Sequence, residues 1–179
     1  MQIFDWIEFD STGKPAPKMA AVMDRHYNNS LFSKYPDILI ARGGITWRSF
    51  KEEAAYLSPL GKVEAVHKLW NSRKYKTDQA NWHAPDYWAT PLEFALKGGD
   101  CEDYAIAKML SLDALGMERN VRMVIGINHA LLYVRLDEDE YVSDNVGKLR
   151  KSFPDGFEPL LSVSTTNVYN LLETHHVSR

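Results

Sequence analysis

The stretch DYWATPLEFALKGGDCEDYAIAK, residues 86–108, contains two helix starts with a stop between them. Thr90, Pro91 and Glu93 form the pattern of a capping box with proline in the first turn. The threonine hydroxyl and the glutamate carboxylate each take a backbone N–H that a helix start leaves unpaired, and proline has no N–H to lose. A short helix is therefore expected from Pro91. Gly98-Gly99 stops it, and Asp100 caps a second helix whose Ile106, Met109, Leu110 and Leu112 face a core, with Gly116 as its end. Cys101 opens that second helix and is the one cysteine in the chain.

A sulfur in a first helical turn faces unpaired N–H groups and the positive end of the helix dipole, both of which favour the thiolate nucleophile. The competing reading is a small buried hydrophobe. Asp100, Glu102 and Asp103 weigh against it, since charged side chains are rarely fully buried without partners, and a polar, exposed site is expected. A lone cysteine also excludes an internal disulfide and a multi-cysteine zinc site.

Upstream, Ser58-Pro59 is a second cap-and-proline pair, followed by Val63, Val66 and Trp70 on one helical face, with an end expected near Asn71. Residues 1–16 begin with an apolar-aromatic patch (Ile3, Phe4, Trp6, Ile7, Phe9) and run into STGKPAP, where Pro15 and Pro17 read as breakers before a helix. Downstream of Asn120 the pattern changes to β-branched and alternating residues in segments 121–127, 129–136, 140–145 and 158–164, expected as antiparallel strands. TTNVYNLLETHH, from Thr165, reads as a short terminal helix or frayed tail.

At 179 residues, with a formal net charge of −3 and 45% hydrophobic residues, the chain fits one globular domain over 1–179 and neither a disordered segment nor a strongly basic nucleic-acid binder. The basic runs RKYK (73–76) and KLRK (148–151) read as solvated faces. No stretch reaches the roughly 18 apolar residues of a membrane span, and MQIFDWIEFD lacks the basic start and apolar core of a signal peptide.

A nucleophilic thiol needs a base and a group to orient that base. Among six histidines, His129 precedes the apolar run Ala130–Val134, so a strand would hold its ring. Asp144 lies one strand later, where an adjacent antiparallel strand could bring its carboxylate to the imidazole. Taken alone, His129 reads first as a hydrogen-bonded sheet histidine. His26, His67 and His83 have weaker contexts.

The string at 86–108, followed by NHALLYV (128–134) and SDN (143–145), resembles the bacterial transglutaminase-like cysteine proteinases, in particular their LapG-type periplasmic members. The resemblance is specific over 82–145 and looser over the helical N-terminal half. It implies a papain/transglutaminase-like α+β fold with a helical N-terminal half packed on an antiparallel β-sheet. Cys101 would be the nucleophile, His129 the base and Asp144 the orienting group. The same resemblance implies a calcium cofactor and a periplasmic location. It further implies cleavage of a large biofilm adhesin near paired alanines, and sequestration by an inner-membrane receptor for cyclic-di-GMP.

On a helical wheel at about 100° per residue, Asp100, Glu102 and Asp103 point away from Cys101 and could hold an ion without blocking it. Their hard oxygens suit calcium better than zinc. Asp100 could equally be a plain cap, with the other two complementing the helix dipole; given the resemblance, Asp100 and Glu102 are the main expected ligands, with Asp103 beside them. Trp88 is expected as a packing residue, a groove wall or an indole N–H donor near the oxyanion. Two other functions stay open: a transglutaminase-like acyltransferase, because an amine can resolve the same thioester, and a non-catalytic binding module.

Overall fold

The computed structural model describes residues 15–165. The apolar patch at 3–9 and nearly all of the expected terminal helix lie outside these residues. The first helix, α1 (Pro15–Asn28), starts at the prolines that the sequence suggested as breakers. Proline is tolerated there because the first-turn N–H groups have no intrahelical acceptor, and a fixed φ suits the turn. Its Met19, Val22 and Met23 are buried on one face.

A two-stranded hairpin then pairs β1 (Leu39–Ala41) with β2 (Ile45–Thr46) around Gly43 and Gly44, both at positive φ near 80°. Neither this hairpin nor α2 (Trp47–Ala54) was anticipated. α2 is started by a Thr46–Ser49 capping box and buries Trp47, Phe50 and Ala54.

The next elements match the capping signals. α3 (Pro59–Asn71) begins where the Ser58 Oγ accepts the Gly61 N–H at 3.1 Å, and it buries Val63, Val66 and Trp70. After the short α4 (Asp78–Trp82), α5 (Pro91–Lys97) opens with reciprocal bonds: Glu93 N–H to Thr90 Oγ1 at 3.2 Å and Thr90 N–H to Glu93 Oε2 at 2.8 Å. Cys101 is the first residue of α6 (Cys101–Ala114), which is buried continuously from Asp103 to Leu112. A helix enclosed all round needs neighbours on every side. α3 and α5 pack on one side of α6 and the main sheet on the other.

That sheet is fully antiparallel, in the order β5 (Asp139–Ser143), β4 (Ala130–Leu136), β3 (Val121–Ile125), β6 (Leu161–Val163). Strand alternation divides its side chains between two cores. Met123, Leu132, Val134 and Tyr141 face α6, while Val124, Leu131, Tyr133 and Val142 face outward under Phe153 and Phe157. The result is the expected α+β architecture, with a helical N-terminal half against an antiparallel sheet.

Candidate active site

Three separate elements deliver the expected side chains to one place. Cys101 sits at the N-terminus of α6. His129 ends the four-residue link between β3 and β4, closed by a Gly126 N–H bond to the His129 carbonyl at 2.8 Å. Gly126 is required there: a Cβ would stand 2.9 Å from the Glu158 carbonyl and from the Phe157 ring. Asp144 follows the last residue of β5, the strand paired with β4, so the imidazole and carboxylate stand side by side. His129 Nε2 and Asp144 Oδ1 are 2.7 Å apart.

The Asp144 segment is pinned on several sides. Its Oδ1 also accepts the Asn145 N–H at 2.7 Å. Its main-chain oxygen accepts from Lys108 Nζ at 2.7 Å and from Asn71 Nδ2 at 3.0 Å. The preceding Ser143 Oγ lies 2.8 Å from His67 Nδ1. The bond to Asp144 raises the His129 pKa above its usual 6.5. Burial opposes charge on Asp144, yet the bonds from His129 and Asn145 hold its carboxyl below the ordinary range.

Cys101 and His129 line one open cavity of about 460 Å³, whose wall includes Trp88, Asp78, Asp100 and Glu102. A second cavity of about 370 Å³ lies across His129, against Asp144 and residues 154–158. Trp88 is buried as well as lining the first cavity, with the Lys18 ammonium 5.5 Å from its ring centre.

Two expectations need correction. Cys101 is half-buried and packs against the main core instead of standing exposed. Glu102 also does not point away from it: the thiol donates to Glu102 Oε2 at 3.1 Å. The wheel compares only directions at Cβ, whereas a glutamate chain is long enough to fold back over its neighbour. Burial, followed by the charge and hydrogen bond of Glu102, raises the Cys101 pKa. The Ala130 N–H, which faces the sulfur, acts the other way. Burial and Glu102 thus act against the thiolate that the start of a helix favours.

Carboxylates crowd beside the cysteine. Asp78, Asp86 and Glu102 bring oxygens within 4.8 Å of one another, as do Asp78, Asp100 and Asp103. Oδ1 of Asp78 and Oδ1 of Asp100 are buried, with no hydrogen-bond partner among the described residues. Burial, with Glu102 and Asp78 nearby, pushes the Asp100 pKa up to about 8. Asp103 has no exposed surface, and its oxygens accept the Ala89 N–H at 2.7 Å and the Asp100 N–H at 3.2 Å. It closes the cap of α6 from inside and fixes the turn that carries Asp100 and Cys101.

Asp78 and Asp86 were missed by the sequence reading. Asp78 looks locally like an acidic first-turn residue after the Thr77 cap, and Asp86 lies in a loop, so only folding brings them to Cys101. Lys108 was missed despite a usable signal, a cation seven residues after Cys101 among the apolar positions of the same helix.

The model of the family described as bacterial transglutaminase-like cysteine proteinase, BTLCP, matches residues 48–155, more than half of the chain. The chain belongs to this family. Three solved structures of LapG from Legionella pneumophila are similar to it. The EGTA-treated form is 26% identical, with TM-score 0.58, over 66% of this chain and 70% of that one. A second LapG structure is 23% identical, with TM-score 0.59, over 72% and 84%. The calcium-bound form is 22% identical, with TM-score 0.59, over 81% and 83%. No curated protein matches the chain. The transglutaminase-like cysteine proteinase fold thus accounts for the α6–sheet arrangement that holds the site.

Proposed function

We propose that this protein is a calcium-dependent cysteine endopeptidase working through Cys101, His129 and Asp144. The observation that carries the reading is the 2.7 Å bond from His129 to Asp144, with His129 and Cys101 lining one open cavity. With Nε2 engaged by Asp144, the ring takes the Cys101 proton at Nδ1, and the thiolate adds to a peptide carbonyl. The imidazolium returns that proton to the departing amine, leaving an acyl-thioester. His129 next draws a proton from water, whose oxygen attacks the thioester, and the free acid and the thiol are released. The N–H groups of the first turn of α6 would be the donors for the developing oxyanion, and Trp88 walls the groove.

The residues fit a calcium ion: hard carboxylates converge, and two of their buried oxygens have no partner among the described residues. Asp100 and Glu102 would hold it, with Asp78 and Asp86 completing the set and Asp103 bracing the turn. Bound there, calcium would supply positive charge beside the carboxylates that raise the Cys101 pKa. The substrate in this reading is an exported biofilm adhesin cut near paired alanines. The enzyme acts in the periplasm under an inner-membrane cyclic-di-GMP receptor, a setting supported by family likeness.

The test incubates the protein with an adhesin segment containing paired alanines, with calcium or excess EGTA, and identifies products by mass spectrometry. Cleavage to a free carboxylate is expected, lost in EGTA and in Cys101→Ala. Cleavage by Cys101→Ala, or amide as the main product when a primary amine is added, overturns the reading.

A further inference from the structure

Lys108 is wholly buried in the middle of α6, yet among the described residues its Nζ makes no ion pair with a carboxylate. It donates to the main-chain oxygen of Asp144 at 2.7 Å. Seven residues separate it from Cys101, two turns of α-helix, so both side chains leave α6 on nearly the same face about 10 Å apart. One rigid helix thus carries the nucleophile at its start and, two turns on, a cation bonded to the backbone of the group that orients the base. We infer that Lys108 is a positioning residue that fixes the Asp144 backbone so that its carboxylate meets His129. The inference rests on the peptidase reading for what Asp144 does.

The surroundings support it. Burying an ammonium costs several kcal/mol unless its surroundings compensate, and an apolar side chain would fill the same core more cheaply. Among the described residues, the groups facing Lys108 are Asp144 just after β5, His67 from α3, and the Tyr104 ring of α6, 5.8 Å away. Burial pushes its pKa down to about 7. Either protonation state keeps an N–H for the carbonyl, so the bond survives where a salt bridge would be lost. Asn71 donates to the same oxygen from α3 at the longer distance of 3.0 Å, leaving Lys108 as the closer restraint.

The experiment needs both kinetics and spectroscopy. In the unmodified protein, NMR should show through-hydrogen-bond coupling between Lys108 15Nζ and the Asp144 carbonyl 13C, together with a downfield His129 Nε2 proton. Lys108→Met, which keeps the bulk and removes the donor, should lower kcat about 10- to 100-fold at nearly constant KM. It should also move the His129 proton upfield while the melting transition remains cooperative. Should that variant not fold, the coupling in the native protein decides the matter, and its absence overturns the inference. A folded Lys108→Met with unchanged kcat and an unchanged His129 resonance also overturns it. Loss of kcat with that resonance intact would mean that Lys108 does not act through Asp144, and equally overturns it. Failure of the peptidase reading shows separately, as cleavage that survives Cys101→Ala.

Discussion

Replacing Gly99 with alanine tests how the cysteine is held. A Cβ at position 99 would lie 2.0 Å from Asp103 Oδ2 and 2.7 Å from its Cβ and Cγ, far inside van der Waals contact. Neither side can yield easily. Asp103 has no exposed surface, and the Gly99 carbonyl accepts the Lys76 N–H at 2.8 Å. The carboxylate must leave, and with it the bonds to the N–H groups of Ala89 and Asp100. Each buried donor left unpaired costs about 1–3 kcal/mol, and partial relaxation brings the net loss to about 2–4 kcal/mol. With a urea dependence of roughly 2 kcal/mol per molar, the midpoint should fall by about 1–2 M, followed by tryptophan fluorescence. Asp103→Ala should cost a similar amount. The double variant should cost far less than the sum, because the clash disappears with the carboxylate, giving a coupling of about 2 kcal/mol. A loss below about 0.5 kcal/mol for Gly99→Ala, or additive costs in the double variant, would refute the claim that Asp103 packs on a bare Gly99 to brace the turn.

Other outcomes follow from the same contacts. Asp144 raises the His129 pKa above 6.5 and has its own held below 3.8, so the pair stabilises the fold most between these two values. The histidine part fades as pH rises through its folded pKa, and the aspartate part as pH falls through its own. Asp144→Asn should bring the His129 ring titration, read by NMR, back toward 6.5 and flatten that window. Calcium at about 100 times its Kd should stabilise the protein by about 2.7 kcal/mol in thermal melts. Asp78→Asn should shrink that gain while making the calcium-free protein more stable, since one of the crowded carboxylates has lost its charge. Ser111→Ala removes the acceptor 2.8 Å from the buried Trp70 Nε1 and should cost about 1–3 kcal/mol in urea unfolding, with cleavage preserved.

How much of this could be read from the sequence depends on how local each signal is. The caps at Ser58, Thr90 and Asp100 involve residues within one helical turn, and each marks the start of its helix. The four strands of the main sheet were legible because each is half of a two-faced layer, which imposes period-two alternation. The β1–β2 hairpin was not, since strands of three and two residues are too short to show a period. Pro15 and Pro17 misled because proline marks a helix's first turn as readily as a break.

The chemistry divides along the same line. The placing of Cys101, His129 and Asp144 near one another was legible because the helix start and the ends of paired strands are themselves local features. The carboxylates beside the thiol were half legible: Asp100, Glu102 and Asp103 adjoin it in sequence, but Asp78 and Asp86 arrive from separate segments with no local mark. The error at Glu102 has a different origin, in the reach of a side chain that backbone periodicity does not encode. That reach sets the state of the site, since the Glu102 carboxylate is the thiol's hydrogen-bond acceptor and stands among the candidate ion ligands. In the proposed reading, whatever draws Glu102 toward Asp78 and Asp86 would take an acceptor from Cys101, and so would tie occupancy of the acidic cluster to the readiness of the proposed nucleophile.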